Sequence, residues 1–231
     1  MASDRIVQHG TQGRSSQGAI AAHRFVQDGK LGKLLRVEEC RSHYAPYWNN
    51  YQNPEKKDTN WNAFLYNRPY RPFQADQHGA WMGYAEFSPG TVGGWMSHFS
   101  DFIHYVTGSS FPVSAIAHGG IYATTSKEER TCPDTVTAIL DYAEGFSTSF
   151  TTHFGNAAND YRLFFGSKGI MRINAPDGNA RGGIAPRVSG EGSDHPEKIA
   201  EEKALEETPH DDHMTNWLKC MKSREEPNAH M

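Results

Sequence analysis

The chain has 231 residues, 37% of them hydrophobic and 12% aromatic, with a formal net charge of −4 at pH 7. That length holds one large domain or one and a half small ones, and five tryptophans make a core resting on a few big side chains. The charge balance has no basic block, which excludes nucleic acid as a partner, and the longest apolar runs are too short to span a bilayer.

Arg5–Gly10 reads as a short strand through Ile6 and Val7 that runs into the turn Gly10-Thr11-Gln12-Gly13. Ser15 or Ser16 can cap a helix carrying Ala19, Ile20, Ala21, Ala22, Phe25 and Val26, which ends at Asp28-Gly29. Gly29-Lys30-Leu31-Gly32 leads tightly into a long strand from Leu34 to about Tyr44. From Arg41 to Gly94 the chain reads mostly as loop with aromatic insertions. There Trp48, Tyr51, Trp61 and Tyr66 interleave with asparagines 49, 50, 53, 60, 62 and 67.

The next segment carries the chemistry. At 100° per residue Trp95, Phe99, Phe102 and Val106 form one stripe, with Met96 and Ile103 widening it. His98, Asp101 and Tyr105 form a second stripe, and Gly108 can end the helix. A histidine and a carboxylate three apart are surface neighbours, so one can orient the other's proton. Gly93-Gly94 just before them would let a ligand approach closely.

Downstream the period changes to two, with strands at Val113–His118, Thr135–Tyr142, Phe146–Phe154, Tyr161–Phe165 and Ile170–Ile173. Ala143-Glu144-Gly145 and Gly166-Ser167-Lys168-Gly169 are hairpin spacings. Gly178 to Lys203 reads as irregular. Thr208-Pro209 starts a last helix, with Asp211-Asp212 at its positive end and Met214, Trp217, Leu218 and Met221 as its apolar face. Cys40, Cys132 and Cys220 are too few and too scattered for a disulfide framework or a zinc motif. His98, Asp101 and His104 do not converge and no HExxH is present, so no metal is expected. The N-terminus has no apolar stretch of a signal peptide, which leaves the cytoplasm as the default compartment, with no membrane association. These elements make an α+β fold: an open, mainly antiparallel sheet with helices on one face. The other face needs a cover, and another subunit would supply it.

The chain resembles the Gfo/Idh/MocA oxidoreductases, the family of glucose–fructose oxidoreductase and inositol dehydrogenase. The resemblance rests on Val7-Gln8-His9-Gly10-Thr11-Gln12, Gly29-Lys30-Leu31-Gly32-Lys33, His98-x-x-Asp101 through Tyr105-Val106-Thr107-Gly108, and Pro133-Asp134-Thr135. Tyr142-Ala143-Glu144-Gly145, Phe165-Gly166-Ser167-Lys168-Gly169 and Asn216-Trp217-Leu218-Lys219-Cys220 complete it. Their order and spacing, over nearly the whole chain, carry the match.

The resemblance implies a substrate-binding domain whose Gly-rich nucleotide-binding domain and Glu-Lys-Pro motif lie outside this sequence. Residues 1–17 would be the remnant of the last Rossmann strand and its turn. Residues 18–231 would form the substrate-binding and oligomerisation domain, cut short at its C-terminal end. The implied reaction moves hydride between a sugar, cyclitol or related polyol and NAD or NADP, held mainly by the missing part. His98 falls where the family takes the hydroxyl proton. The aspartate many members carry four residues earlier is Gly94 here. Asp101 would hold the imidazole tautomer or cap a neighbouring strand. Gln12 and Arg14 follow the remnant strand, where a side chain could reach a sugar hydroxyl or, for Gln12, the nicotinamide. His153 and Asn156, at the end of a strand, are candidate hydroxyl binders, and Trp48 and Trp61 candidate platforms for a sugar face. The expected assembly is a homodimer or homotetramer through the open sheet face. Two other readings share the same site: an NAD-dependent glycoside-cleaving relative, and a non-catalytic binding module.

Overall fold

The fold is that of a computed structural model that describes residues 4–46, 48, 54–123, 130–157, 160–173, 187–189, 198–199, 201–206 and 209–230. Helix α1 (Gln17–Gln27) starts at Ser16, whose hydroxyl accepts from the Ala19 amide, and stops at Asp28 before Gly29. Strand β1 (Leu34–His43) follows. Two short helices, α2 (Trp61–Leu65) and α3 (Ala75–Gly79), interrupt the segment that reads as loop in the sequence. Helix α4 (Ser97–Thr107) ends at Gly108, whose φ of 77° is the left-handed closing turn a glycine adopts without strain.

Strands β2 (Pro112–Gly120), β3 (Thr135–Tyr142), β4 (Phe146–Phe154), β5 (Tyr161–Gly166) and β6 (Gly169–Ile173) match the period-two segments to within two residues. Two outer strands, β7 (Arg187–Ser189) and β8 (Lys203–Ala204), lie where the sequence reads as irregular; most of the intervening chain is outside the described residues. Among the described residues the eight strands form one sheet in the order β2-β3-β4-β1-β5-β6-β7-β8. Every neighbouring pair is antiparallel except β1 and β4, so the first strand is inserted parallel into the middle of the later meander.

One face of this sheet is covered and one is open. Ala19, Ala22 and Phe25 of α1, with Phe99, Phe102, Ile103 and Val106 of α4, pack on Val37, Ala138, Leu140, Phe150, Phe164 and Met171. Each large side chain so buried contributes about 1.5–3 kcal/mol. The alternate residues point the other way: Ile116 faces Ile139 across β2 and β3, and Glu38 faces Leu163 across β1 and β5. This open face is partly to fully exposed.

The ends of the chain depart from the sequence reading. Residues 5–10 form no strand; they run along helix α5 (His213–Ser223). Trp217 Nε1 donates to the Ile6 carbonyl at 3.2 Å and the His9 amide to the Ala229 carbonyl at 2.8 Å. Helix α5 starts at His213 rather than near Pro209, because the Asp212 carboxylate accepts from the Met214 and Thr215 amides and caps it there; Thr208 lies outside the described residues. Its expected apolar face is not buried. Met214 and Leu218 are 57% and 46% exposed, and Cys220 on another side is buried instead.

Candidate active site

The helix bearing His98 begins earlier than its sequence stripe shows. Residues Val92–Met96 form a π-helical turn that continues into α4 without a break. Such wide turns collect at functional sites. Gly93 is needed there for packing, since a Cβ would lie 2.0 Å from Pro89 Cγ; the space beside it belongs to the proline rather than to a ligand. The wider turn takes Trp95 out of the buried stripe. Trp95 stays partly buried, edge-on to Phe154 with ring centroids 5.2 Å apart and with the Arg41 guanidinium 5.4 Å from its ring.

His98 stands at the start of α4, half-buried, and no hydrogen bond joins its ring to another described residue. Burial and the Arg41 guanidinium hold its pKa below the ordinary 6.5, while Asp101 and Glu39 pull it up and Arg162 pushes it down. The ring is therefore neutral at neutral pH, with a lone pair available to accept a proton. His104 is occupied elsewhere: its Nε2 lies 3.1 Å from the Tyr142 hydroxyl, whose pKa is pushed up to about 12 by burial and by Glu144.

Asp101 does not hold the His98 tautomer. Arg14 takes both its oxygens: Nε donates to Oδ2 at 3.0 Å and Nη2 to Oδ1, while Nη1 donates to the Asn228 carbonyl at 3.1 Å. The planar fork of arginine matches a carboxylate better than an imidazole edge does. This pair ties the 3₁₀ turn Gln12–Ser15 to α4 and to the C-terminal segment, and Gln12 is exposed at the start of that turn.

The remaining expected binders make other contacts. His153 and Asn156 do meet, His153 Nε2 and Asn156 Oδ1 being 3.1 Å apart. However, His153 alternates with the buried Thr152 and Phe154 and so lies on the open sheet face, opposite α4. Trp48 is 1% exposed and packs edge-on against Phe154. Trp61 stacks on Phe64 and donates its Nε1 to the Arg71 carbonyl at 2.8 Å. Both are packing residues of the aromatic segment, because their own loop folds back on them. Tyr51 and asparagines 49, 50 and 53 lie outside the described residues.

Sequence reading missed the charged layer beneath α4. Glu39 on β1 lies directly across from Arg162 on β5, and both are buried. Arg162 donates to Glu39 Oε2 through Nε and pairs with it through Nη2, with its guanidinium 4.0 Å from the Phe102 ring centroid. Arg41 Nε sits 3.9 Å from Glu39 Oε1 and 3.7 Å from Asp160 Oδ2. The signal was present: Glu39 is in phase with the buried Val37, and Arg162 with the buried Phe164. Opposite charges on the buried phase of two strands announce an internal pair.

These features define an α+β domain with an open sheet, helices on one face, and a helix histidine over a charged layer. The family model for the oxidoreductase family, C-terminal alpha/beta domain, matches residues 24–230, and the chain belongs to this Gfo/Idh/MocA family. No curated protein matches the chain. Among solved structures it is similar to the aldose-aldose oxidoreductase from Caulobacter crescentus complexed with glycerol, at 16% identity and a TM-score of 0.68. That match covers 98% of this chain and 56% of the other. It is also similar to the WlbA dehydrogenase from Bordetella pertussis in complex with NADH and UDP-GlcNAcA, at 17% identity and a TM-score of 0.61, over 97% and 55%. A levoglucosan dehydrogenase in complex with NADH and levoglucosan matches at 15% identity and a TM-score of 0.57, over 88% and 48%. The chain thus spans about half the length of the solved structures it matches. No described helix is long and apolar enough to cross a membrane, and no cluster of three metal-ligating side chains occurs among the described residues.

Proposed function

We propose that this chain is the substrate-side domain of an NAD(P)-dependent oxidoreductase acting on a sugar, cyclitol or related polyol, with His98 taking the proton of the hydroxyl to be oxidised. The observation that carries this reading is the His98 ring itself: half-buried, without a hydrogen bond to another described residue, and two residues past a π-helical turn, with burial holding its pKa below the ordinary 6.5. An alcohol is a very weak acid, so its oxidation needs a base placed at the hydroxyl, and a neutral imidazole is suited to that task. The matched structures support the substrate class, since they include an aldose-aldose oxidoreductase and dehydrogenases in complex with UDP-GlcNAcA and with levoglucosan.

The described residues do not by themselves fit a dinucleotide. Helix α1, entered from the Gly10-to-Gly13 turn, has its Ala19 amide capped by its own Ser16, so that donor is not offered to a pyrophosphate. The cofactor would be held by a separate nucleotide-binding region. The open sheet face, with Ile116, Ile139 and Leu163 partly or fully exposed, would be covered by a second copy of the chain.

The test is His98→Ala in the complete enzyme, this chain together with its nucleotide-binding half. Turnover is expected to fall about 10²–10⁴-fold, as for a lost general base. The melting temperature should hold, because the ring supports no hydrogen bond to another described residue. A folded His98→Ala enzyme with full turnover would end the proposal.

A further inference from the structure

Four carboxylates lie in or beside the layer under His98, and the structure accounts for three of them. Asp101 is held through both oxygens by Arg14. Asp160 accepts from the Ser42 amide at 2.8 Å at the edge of the layer. Glu38 points to the open face and pairs with Arg36. Glu39 is different. Its side chain is 3% exposed and Arg162 engages Oε2 alone. Oε1 is the only buried carboxylate oxygen among the described residues without a hydrogen bond, with Arg41 Nε 3.9 Å away. Burying a carboxylate with half its acceptor capacity unused is costly, and such orphaned groups call for a reason.

We propose that Glu39 is the carboxylate that supports His98 in proton transfer, supplying from strand β1 the negative charge that the family resemblance places on an aspartate at position 94. This rests on the reading that His98 takes the substrate proton. The proton leaves the substrate hydroxyl, the electron pair stays on that oxygen, and the His98 ring passes from neutral to cationic. The cation then lies above a layer whose charges are Arg41 and Glu39 from β1, Arg162 from β5, and Asp101 of α4, which also favours the cation but has both oxygens held by Arg14. Glu39 is the member of that layer with an oxygen not engaged by a donor, and in a water-poor interior a fixed charge acts strongly on its neighbours. Arg162 fixes Glu39 from directly across the strand pair, and Phe102 covers Arg162, so the negative charge is held in place before the proton arrives. Gly94 can therefore lack a side chain without leaving the imidazolium unsupported. Glu39 acts through His98 and is a positioning residue.

The experiment titrates His98 in this chain by NMR of ¹³C-labelled histidine, the resonance being assigned with His98→Gln. Glu39→Gln should lower the His98 pKa by about half a unit or more, and Glu39→Asp, which keeps the charge, should leave it nearly unmoved. If Glu39→Gln does not fold, the double variant Glu39→Gln/Arg162→Gln leaves no unpaired charge in that strand pair. It should shift His98 in the same direction by less, because removing the Arg162 cation offsets part of the lost Glu39 charge. In the complete enzyme Glu39→Gln should lower kcat about tenfold with KM little changed. An unmoved His98 titration in the folded variant overturns the inference. If His98→Ala is inactive while Glu39→Gln leaves the titration unchanged, this inference alone fails. If His98→Ala is fully active, the functional reading fails with it.

Discussion

Replacing Asp101 tests whether this carboxylate serves the fold or the imidazole. Its two oxygens are held by Arg14, and the two side chains are 16% and 17% exposed. Exposed ion pairs contribute about 0–1 kcal/mol, and losing one partner of a buried pair costs about 3–5 kcal/mol. A bidentate pair one-sixth exposed falls between, so Asp101→Ala should cost about 2–3 kcal/mol. Arg14 would lose its partner while still donating to the Asn228 carbonyl and lying 5.5 Å from the Tyr105 ring centroid. In a chain of this length that corresponds to a drop of roughly 5–10 °C in melting temperature. A double-mutant cycle with Arg14→Met, read by urea unfolding, should give a coupling energy of about 1.5–2.5 kcal/mol. Coupling below about 0.5 kcal/mol would refute the clasp. So would an Asp101→Asn variant of unchanged stability whose turnover collapsed, since that is the signature of a carboxylate orienting His98.

Acid should weaken the fold in a window set by the histidines. His98 and His104 have folded pKa values below 6.5, from burial first in both cases, so below that pH the unfolded chain binds protons that the folded chain does not. Stability should be at its plateau near pH 7.5 and fall as the pH drops through 6.5 toward the lowered values, with a shallower fall in His104→Phe; equal urea midpoints at pH 7.5 and 5.5 would contradict this. The open sheet face predicts self-association: sedimentation at tens of micromolar should show a dimer or larger species, and Leu163→Glu should dissociate it. A monodisperse wild-type monomer would count against that cover. Calorimetric titration with NAD or NADP should show no binding to this chain alone, and micromolar affinity would show that the residues present make a dinucleotide site after all.

Much of the secondary structure was legible in the residues themselves, because side-chain periodicity is a local property. The alternation from Phe146 to Phe154 reports a strand with one buried face whatever lies beside it, and the stripe through Phe99, Phe102 and Val106 reports α4 up to its glycine stop. His98 stood out for the same reason, since it shares a face with Asp101 but not with the apolar stripe. Partner choice was not legible, because it depends on contacts between residues far apart in the chain. Periodicity places Asp101 three residues from His98, yet Arg14, 87 positions away, takes both its oxygens. It places His153 on a strand but not on the face away from the site, and it cannot show that Trp48 and Trp61 would be buried by their own segment. The insertion of β1 parallel to β4 and antiparallel to β5 sets Glu39 opposite Arg162. Composition, charge and periodicity thus determined the class of fold and set His98 on the polar stripe of its helix. Only the tertiary structure decided which charges surround that histidine, because β1 reaches its place by pairing with strands more than a hundred residues downstream.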